Sequence, residues 1–301
     1  MSEIWVISET PALLELIAHA KSLVQDEKII AWAFSQESAQ AAASHGADSV
    51  LQLEGGQRPE AFVDALIKWA QNAQPIAILW GSSKRMKEMA ARVAAALDTG
   101  LVSECFSLKR DQEFVSQRYF YGGLCVATEI SNVQPFMATM AAKTIDALPE
   151  GPAASIKVLD GADEIVTVSE LRPNLTASNL SDANVVICVG RGVAKKEDLE
   201  LARRLAVKLG GELGCTRPIA EDLHWMSEEN YVGISGQVVK PAVYIGIGVS
   251  GQIQHVSGIR DSKTIIAIEK NGNAPILEAA DYALVGDLYE ILPALLSALG
   301  A

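Results

Sequence analysis

Short apolar runs rich in β-branched residues alternate with stretches of helical period up to Gly100. Ile4–Ile7 reads as a strand. Leu13, Leu16, Ile17 and Ala20 recur at helical spacing, so Pro11–Val24 reads as a helix with Thr10 as cap and Pro11 in its first turn. Ile29–Phe34, Ser49–Leu53 and Ile76–Trp80 read as further strands. Between and after them, Glu37–His45 (ended by Gly46), Pro59–Asn72 and Lys84–Leu97 read as helices. Strict alternation of this kind predicts an α/β layer around a mostly parallel sheet.

The pattern changes after Gly100. Successive β-rich runs fill Leu101–Ile130, with Tyr121-Gly122-Gly123 as a turn, and Gln134–Met140 reads as another strand. This predicts an antiparallel extension of the first sheet. Residues 148–183 are heavily punctuated: Pro149-Glu150-Gly151-Pro152 forms a turn cluster, Ile165–Val168 a strand, and Arg172-Pro173-Asn174 leads into a polar stretch. The domain boundary is placed there, giving residues 1–172 and 173–301.

The second half resumes the α/β alternation. Val185–Val189, Leu213–Cys215, Ala242–Val249, Thr264–Ile268 and Tyr282–Val285 read as strands. Lys196–Leu209 reads as a helix with Leu199, Ala202, Leu205, Ala206 and Leu209 on its core face, and Asp287–Leu299 as a closing helix. The expected fold is α/β with two doubly wound domains, the second Rossmann-like.

Composition narrows the function classes. In 301 residues, 49% are hydrophobic and 21% charged, which is globular composition. The 37 acidic residues against 25 Lys and Arg give a net charge of −12, against binding of nucleic acid or anionic membrane through the overall field. Cys105, Cys125, Cys188 and Cys215 are far apart and read as small buried hydrophobes, with no CxxC. The four histidines form no HExxH or Cys/His cluster, so metal chemistry has little support. No basic leader and no membrane-length apolar run is seen, and the expected location is cytoplasmic.

Candidate chemistry concentrates where ligands of open α/β sheets bind, outside the carboxyl ends of the strands. Four segments are expected there: Gly190-Arg191-Gly192, Cys215-Thr216-Arg217-Pro218, Gly233-Ile234-Ser235-Gly236 and Ser250-Gly251-Gln252-Ile253-Gln254-His255. Glycines, small hydroxyls, Arg and backbone N–H groups at helix starts suit a phosphate-bearing, nucleotide-shaped ligand. Each segment also has a plainer reading. Gly190–Gly192 lacks the third glycine of GxGxxG and could be a tight turn. Arg217 could be a surface ion-pair partner, Ser235 a turn residue, and His255 a helix-start residue with a satisfied ring. In the first half, Gly81–Arg85 reads as a plain helix cap rather than an anion site, and Tyr119–Tyr121 as sheet packing rather than a stacking platform.

Taken together, the second half resembles the alpha subunit of electron transfer flavoprotein. Val249–His255 is similar to the family run "GISGAIQH", and Asp261–Ile268 to "DSKTIVAI". Ala274-Pro275-Ile276 resembles "APIF", Ala280-Asp281-Tyr282 resembles "ADYG", and Gly190–Gly192 and Cys215–Pro218 match the "GRG" and "SR" positions. Arg217–Glu221, Trp225 and Gly233–Gly236 look closest to bacterial relatives from anaerobic carnitine and acyl-CoA metabolism.

The resemblance implies an electron carrier without substrate turnover of its own. It would bind FAD, pair with an electron transfer flavoprotein beta subunit, and take electrons from an acyl-CoA-type dehydrogenase. It implies contacts from Arg191 to the phosphates or ribityl chain, from Thr216, from Arg217 near the isoalloxazine, and from the Gly233–Gly236 turn, with Ser235 toward flavin N5. It also implies contacts from Ser250, Gly251, Gln252, Ile253, Gln254 and His255, with His255 near the C2 carbonyl, and from Asp281 at the adenosine end. A fixed donor near N1 and the C2 carbonyl favours the reduced ring, where negative charge develops. Four positions depart from the pattern, among them Asn271, which stands where the relatives have Asp. Ile234 replaces Gln and Ser235 replaces Thr of "GQTG", and Glu269 stands where the relatives have Asn, placing a carboxylate that would repel phosphates if it faced them. Two alternatives remain: a flavin-free assembly subunit, and an NAD-dependent dehydrogenase, against which the missing third glycine and absent acid/base group count.

Overall fold

The computed structural model describes residues 2–56, 58–163, 168–170 and 179–300. The Arg172–Asn174 turn, and the expected Ile165–Val168 strand apart from Val168, lie outside them. The chain divides into two compact units, Met1–Leu171 and Arg172–Ala301.

The first unit is built on strands β1 (Glu3–Ile7), β2 (Lys28–Ala33), β3 (Ser49–Glu54), β4 (Ala77–Trp80), β5 (Leu101–Arg110), β6 (Phe114–Phe120), β7 (Cys125–Ile130), β8 (Phe136–Met140) and β9 (Ser155–Asp160). They form one sheet in the order β7-β6-β5-β8-β4-β1-β2-β3-β9. Pairing is parallel from β9 through to β5, and antiparallel for β5–β6 and β6–β7. The expected antiparallel extension is therefore the β6–β7 pair, with β8 inserted between β4 and β5.

Alternation along the strands feeds two cores, because successive side chains point to opposite faces. Ile4, Val6, Ile29 and Ala31 face helices α1 (Ala12–Leu23) and α2 (Gln36–Ser44). Trp5, Ile7, Ile30 and Trp32 face α3 (Val63–Ala73) and α4 (Lys84–Ala96). Two details correct the sequence reading. Thr10 does not cap α1: its hydroxyl pairs with Ser8, and the helix starts from Pro11 without a side-chain cap. Cys125 is exposed, unlike the other three cysteines. Tyr119, Phe120 and Tyr121 are exposed, and Tyr119 packs across the sheet surface on Phe106 of β5, ring centroids 4.6 Å apart.

The second unit carries β10 (Val185–Val189), β11 (Glu212–Cys215), β12 (Val243–Ile247), β13 (Ile265–Glu269) and β14 (Tyr282–Val285). All are parallel, in the order β11-β10-β12-β13-β14. Helices α5 (Leu199–Leu209) and α8 (Leu288–Ala298) cover one face through Ile187, Val189, Ile245 and Ile268. The short α6 (Ile253–Val256) and α7 (Pro275–Ala279) lie in segments over the other, where Val186, Cys188, Tyr244, Ile259 and Ile276 cluster. The chain goes outward from β10 to β11, then returns to β12 on β10's other side. That reversal opens a crevice at the carboxyl ends of β10 and β12, where open α/β sheets bind ligands.

Candidate functional site

The loops that leave β10 and β12 meet at this crevice and interlock through glycine. Gly190 N–H donates to Ile247 O at 2.9 Å and Gly192 N–H to Gly248 O at 3.0 Å. A Cβ on Gly192 would lie 2.6 Å from Gly248 Cα, so the two backbones touch where no side chain fits. Arg191, between these glycines, is exposed, and its guanidinium has no partner among the described residues.

After β12 the chain turns through Gly251, at φ +79°, a left-handed conformation that favours glycine. A Cβ there would sit 2.2 Å from Ile276 N, whose N–H donates to Ser250 O at 3.2 Å. The segment is thus pinned against the start of α7. The backbone N–H groups of Ser250, Gly251, Gln252, Ile253 and Gln254 have no hydrogen-bond partner among the described residues. Five consecutive amides without a partner among the described residues, on a loop that touches the Gly190–Gly192 loop carrying Arg191, make a cradle suited to an anion, since partial positive charge of backbone amides favours phosphate oxygens. The residues present therefore fit the diphosphate of a dinucleotide.

The Gly233–Gly236 turn reaches the same place by a different route from the one expected. It follows an isolated bridge between Cys215 and Tyr231 rather than the end of a strand of the sheet. It is tied to the β12 loop by Ile234 N–H to Gln254 O at 2.9 Å. Ser235 is exposed, and its hydroxyl pairs with Tyr231 Oη at 3.1 Å. Thr216 continues β11, its N–H donating to Val189 O at 2.9 Å. Arg217 donates to Glu221 at 2.6 Å with most of its side chain exposed, and this pairing raises its already high pKa. Its plainer reading as a surface ion-pair partner holds, and an exposed pair of this kind is easily exchanged for a ligand.

His255 lies in the same loop but does not face outward. It is 7% exposed. Its Nδ1 is 3.0 Å from the Val232 carbonyl oxygen and its Nε2 is 2.7 Å from Tyr244 Oη. Burial, opposed only by the Val232 hydrogen bond, lowers its pKa to about 4. The ring is the satisfied one: both nitrogens are already engaged inside the domain.

Asp281 is also corrected. It precedes β14 at the amino end of the sheet, and its carboxylate accepts from Ile265 N–H at 2.8 Å at the start of β13. In a parallel sheet that is the edge opposite the crevice. The acid at the carboxyl edge is Asp287, which caps α8 by accepting from Tyr289 N–H at 2.9 Å. A small open cleft of about 100 Å³ lies there, lined by Gly192, Gly248, Glu269, Lys270, Asp287 and Tyr289 among others. Glu269 ends β13 on this wall and accepts from Asn271 N–H at 3.0 Å. Tyr289 Oη donates to Asp198 at 2.6 Å and accepts from Ala194 N–H at 2.8 Å, fastening the loop after β10 to α8. Sequence reading missed Asp287, Lys270 and Tyr289, although a Gly-Asp pair ahead of an apolar helix is a helix-start signal.

In the first unit, the crevice between β1 and β4 is flanked by carboxylates. Ser83 caps α4, accepting from Met86 N–H at 3.1 Å, and donates to Glu9 at 2.7 Å. Arg85 spans from Glu9 at 2.5 Å to Glu60 at 2.9 Å. Two carboxylates there disfavour an anion, in line with the plain-cap reading of Gly81–Arg85. Among the described residues no group of His, Cys, Asp and Glu could hold a metal ion, and no helix is long and apolar enough to cross a membrane.

Comparison with known proteins agrees with the geometry. The electron transfer flavoprotein domain matches residues 6–166, and the electron transfer flavoprotein FAD-binding domain matches residues 179–260, which contain the cradle. The chain is 34% identical over 309 residues to the putative electron transfer flavoprotein subunit YdiR of Escherichia coli K12, covering 99% of this chain and 98% of that protein. It is 34% identical over 310 residues to protein FixB of Salmonella typhimurium LT2, with the same coverage. With the cradle lying inside an FAD-binding domain and similarity running the whole length of both relatives, the chain belongs to the electron transfer flavoprotein family as an FAD-binding alpha subunit.

Proposed function

We propose that the chain carries FAD extended along the carboxyl edge of its second unit and works as the flavin-bearing half of a two-subunit electron carrier. The observation that carries this reading is the run of amides from Ser250 to Gln254, together with Arg191, without partners among the described residues. Bound FAD would supply the redox chemistry, accepting electrons from a flavin dehydrogenase of the acyl-CoA type and releasing them to a downstream acceptor.

The chain's residues divide the cofactor by charge. The amides and Arg191 hold the diphosphate. The Glu269–Asp287 cleft, with two carboxylate acceptors, takes the hydroxyls of the adenosine end, so Glu269 does not meet the phosphates. Arg217 and the Gly233–Gly236 turn border the isoalloxazine, with Thr216 leading into that loop.

A cleft of about 100 Å³ is far below the several hundred Å³ that enclose a drug-sized ligand. The cofactor on this unit therefore needs a covering partner, for which a beta subunit is proposed. The first unit, residues 1–172, is proposed as a packing domain; its exposed Tyr121, Leu124, Val126 and Ile130 on and beside β6–β7 form an apolar surface suited to a protein contact. Residues 173–301 are the proposed cofactor domain, and the proposed location is the cytoplasm. The test is the visible absorption spectrum of the chain co-expressed with its beta subunit, followed through stepwise reduction. A flavin spectrum that bleaches on reduction is expected. A complex that stays colourless after addition of FAD would overturn the reading in favour of an assembly subunit, and a chain that instead binds a nicotinamide nucleotide would favour a dehydrogenase.

A further inference from the structure

Arg217 and Glu221 pair just beyond the carboxyl end of β11, and the pair uses only one side of the guanidinium. Arg217 Nε donates to Glu221 Oε2 at 2.6 Å. The terminal nitrogens Nη1 and Nη2 have no hydrogen-bond partner among the described residues. The carboxylate therefore grips the guanidinium from the side, and the forked end keeps its N–H donors for a ligand. An acceptor on that ligand can take the open end without breaking the pair.

The backbone beneath the pair is fixed. Thr216 O accepts from Ile219 N–H at 3.0 Å. Leu223 N–H donates to Pro218 O at 3.0 Å, closing a wide turn over Pro218–Asp222, and Trp225 N–H donates to Ile219 O at 3.0 Å. Ile219 and Ala220 are buried in the core with residues of α5 and α8, while the Arg217 and Glu221 side chains are 63% and 35% exposed. The buried residues of the turn thus hold the ion pair at the surface, and wide turns of this kind are frequent at functional sites. Tyr231 connects the pair to the Gly233–Gly236 turn, which wraps it so closely that a Cβ on Gly236 would lie 2.6 Å from Tyr231 Cδ1. Glu221 above all, with smaller contributions from Tyr231 and Asp222, raises the Arg217 pKa, so the guanidinium stays charged.

We propose that Glu221 is a positioning residue for Arg217: gripping Nε, it presents the terminal nitrogens to the cofactor, and its carboxylate trims the positive charge that the flavin ring meets. The proposal rests on reading Arg217 and the Gly233–Gly236 turn as the border of the isoalloxazine. A free arginine side chain has to be ordered when a ligand binds, which costs roughly two- to tenfold in affinity, whereas one already held has met that cost beforehand. An exposed ion pair contributes little to folding, so its removal perturbs ligand binding rather than the unit.

The test begins with ¹⁵Nε relaxation of the arginine-labelled chain in its complex with the beta subunit before FAD is added, the Arg217 signal being assigned by its loss in Arg217→Lys. A rigid Nε–H is expected in the wild type and a mobile one in Glu221→Ala. A wild-type Nε–H as mobile as that of the variant overturns the proposal whether or not FAD binds. In FAD titrations Glu221→Ala is expected to weaken binding roughly fivefold, and Glu221→Gln, whose amide oxygen can still accept from Nε, about twofold. Adding Glu221→Ala to Arg217→Ala is expected to change binding by less than about twofold, because the carboxylate acts through Arg217. The full loss in that background overturns the positioning role. Glu221→Gln also removes a negative charge beside the ring, so it is expected to favour reduced over oxidised flavin about threefold, which is about 14 mV upward in the two-electron potential at about 30 mV per tenfold. An unchanged potential overturns the trimming of charge. A rigid Nε–H in a complex that binds no FAD overturns the cofactor reading alone, and a mobile one in a complex that does bind FAD overturns this proposal alone.

Discussion

Replacing Gly251 with Ala tests the geometry of the cradle more sharply than any polar substitution. Two costs are expected. At φ +79° an L-residue pays roughly 1–2 kcal/mol for the left-handed backbone. The new Cβ, 2.2 Å from Ile276 N, must also displace the start of α7 or the loop itself, which by analogy with overpacked cores adds about 1–3 kcal/mol. Gly210 supplies the matched control: its φ is +63°, and nothing lies within 4 Å of a Cβ built there. Both substitutions change unfolded-chain entropy alike, so the difference between them isolates the contact and is expected to be about 1–3 kcal/mol. Native-state hydrogen exchange of the slowest amides in β10 and β12 reads the second unit separately from the first. Gly251→Ala should also weaken FAD binding, whereas Gly210→Ala, at the far end of α5, should not. If the two variants destabilise the unit within about 0.5 kcal/mol of one another, the packing of Gly251 on α7 is refuted.

Arg191→Ala is expected to weaken FAD binding about tenfold and to reduce its salt dependence, with no change in stability, since the side chain is exposed; binding titrations at two ionic strengths check this. Tyr289→Phe, which removes the bonds to Ala194 and Asp198, should raise the FAD dissociation constant about threefold and leave the unit folded, as a fluorescence titration would show. His255 titrates at about 4 folded against 6.5 free, so between those values only the unfolded chain takes up its proton. The second unit should therefore hold this contribution above pH 6.5 and lose up to about 3 kcal/mol as pH falls toward 4, a slope that His255→Asn abolishes in exchange-derived stabilities. In the first unit the Arg110 hydrogen bond holds the Glu27 carboxyl at about 2, so that contribution persists down to pH 4.5 and is lost between there and about 2; Arg110→Gln should move the loss to higher pH in acid titrations.

The elements most legible in the sequence are those whose side chains are buried on both faces. Strands β1, β2, β4, β10, β12 and β13 are continuous apolar runs because helices or packed loops cover both sides of the sheet. Strand β9 carries no such signal: Ser155–Asp160 is an edge strand with nearly every residue exposed, so its sequence is not selected for burial. The glycines of the cradle stood out because backbone meets backbone there. Asp281 misled because its motif abuts a strand, and only the parallel direction of β14 assigns it to the amino edge, leaving Asp287 at the crevice. His255 was visible as a site-loop residue, but its partners lie 11 positions away in Tyr244 and 23 away in Val232. A buried Tyr in an otherwise apolar strand was the available hint, because its hydroxyl needs a partner.

The most direct measurement is amide hydrogen exchange of the chain in its complex with the beta subunit, with and without FAD. The amides of Ser250 to Gln254 have no partner among the described residues, so they should exchange fast without cofactor and slow at least tenfold, by the order of one hydrogen bond's worth of protection, when FAD is added. Unchanged exchange at these five positions in a flavin-loaded complex would contradict the placement of the diphosphate on this edge of the sheet.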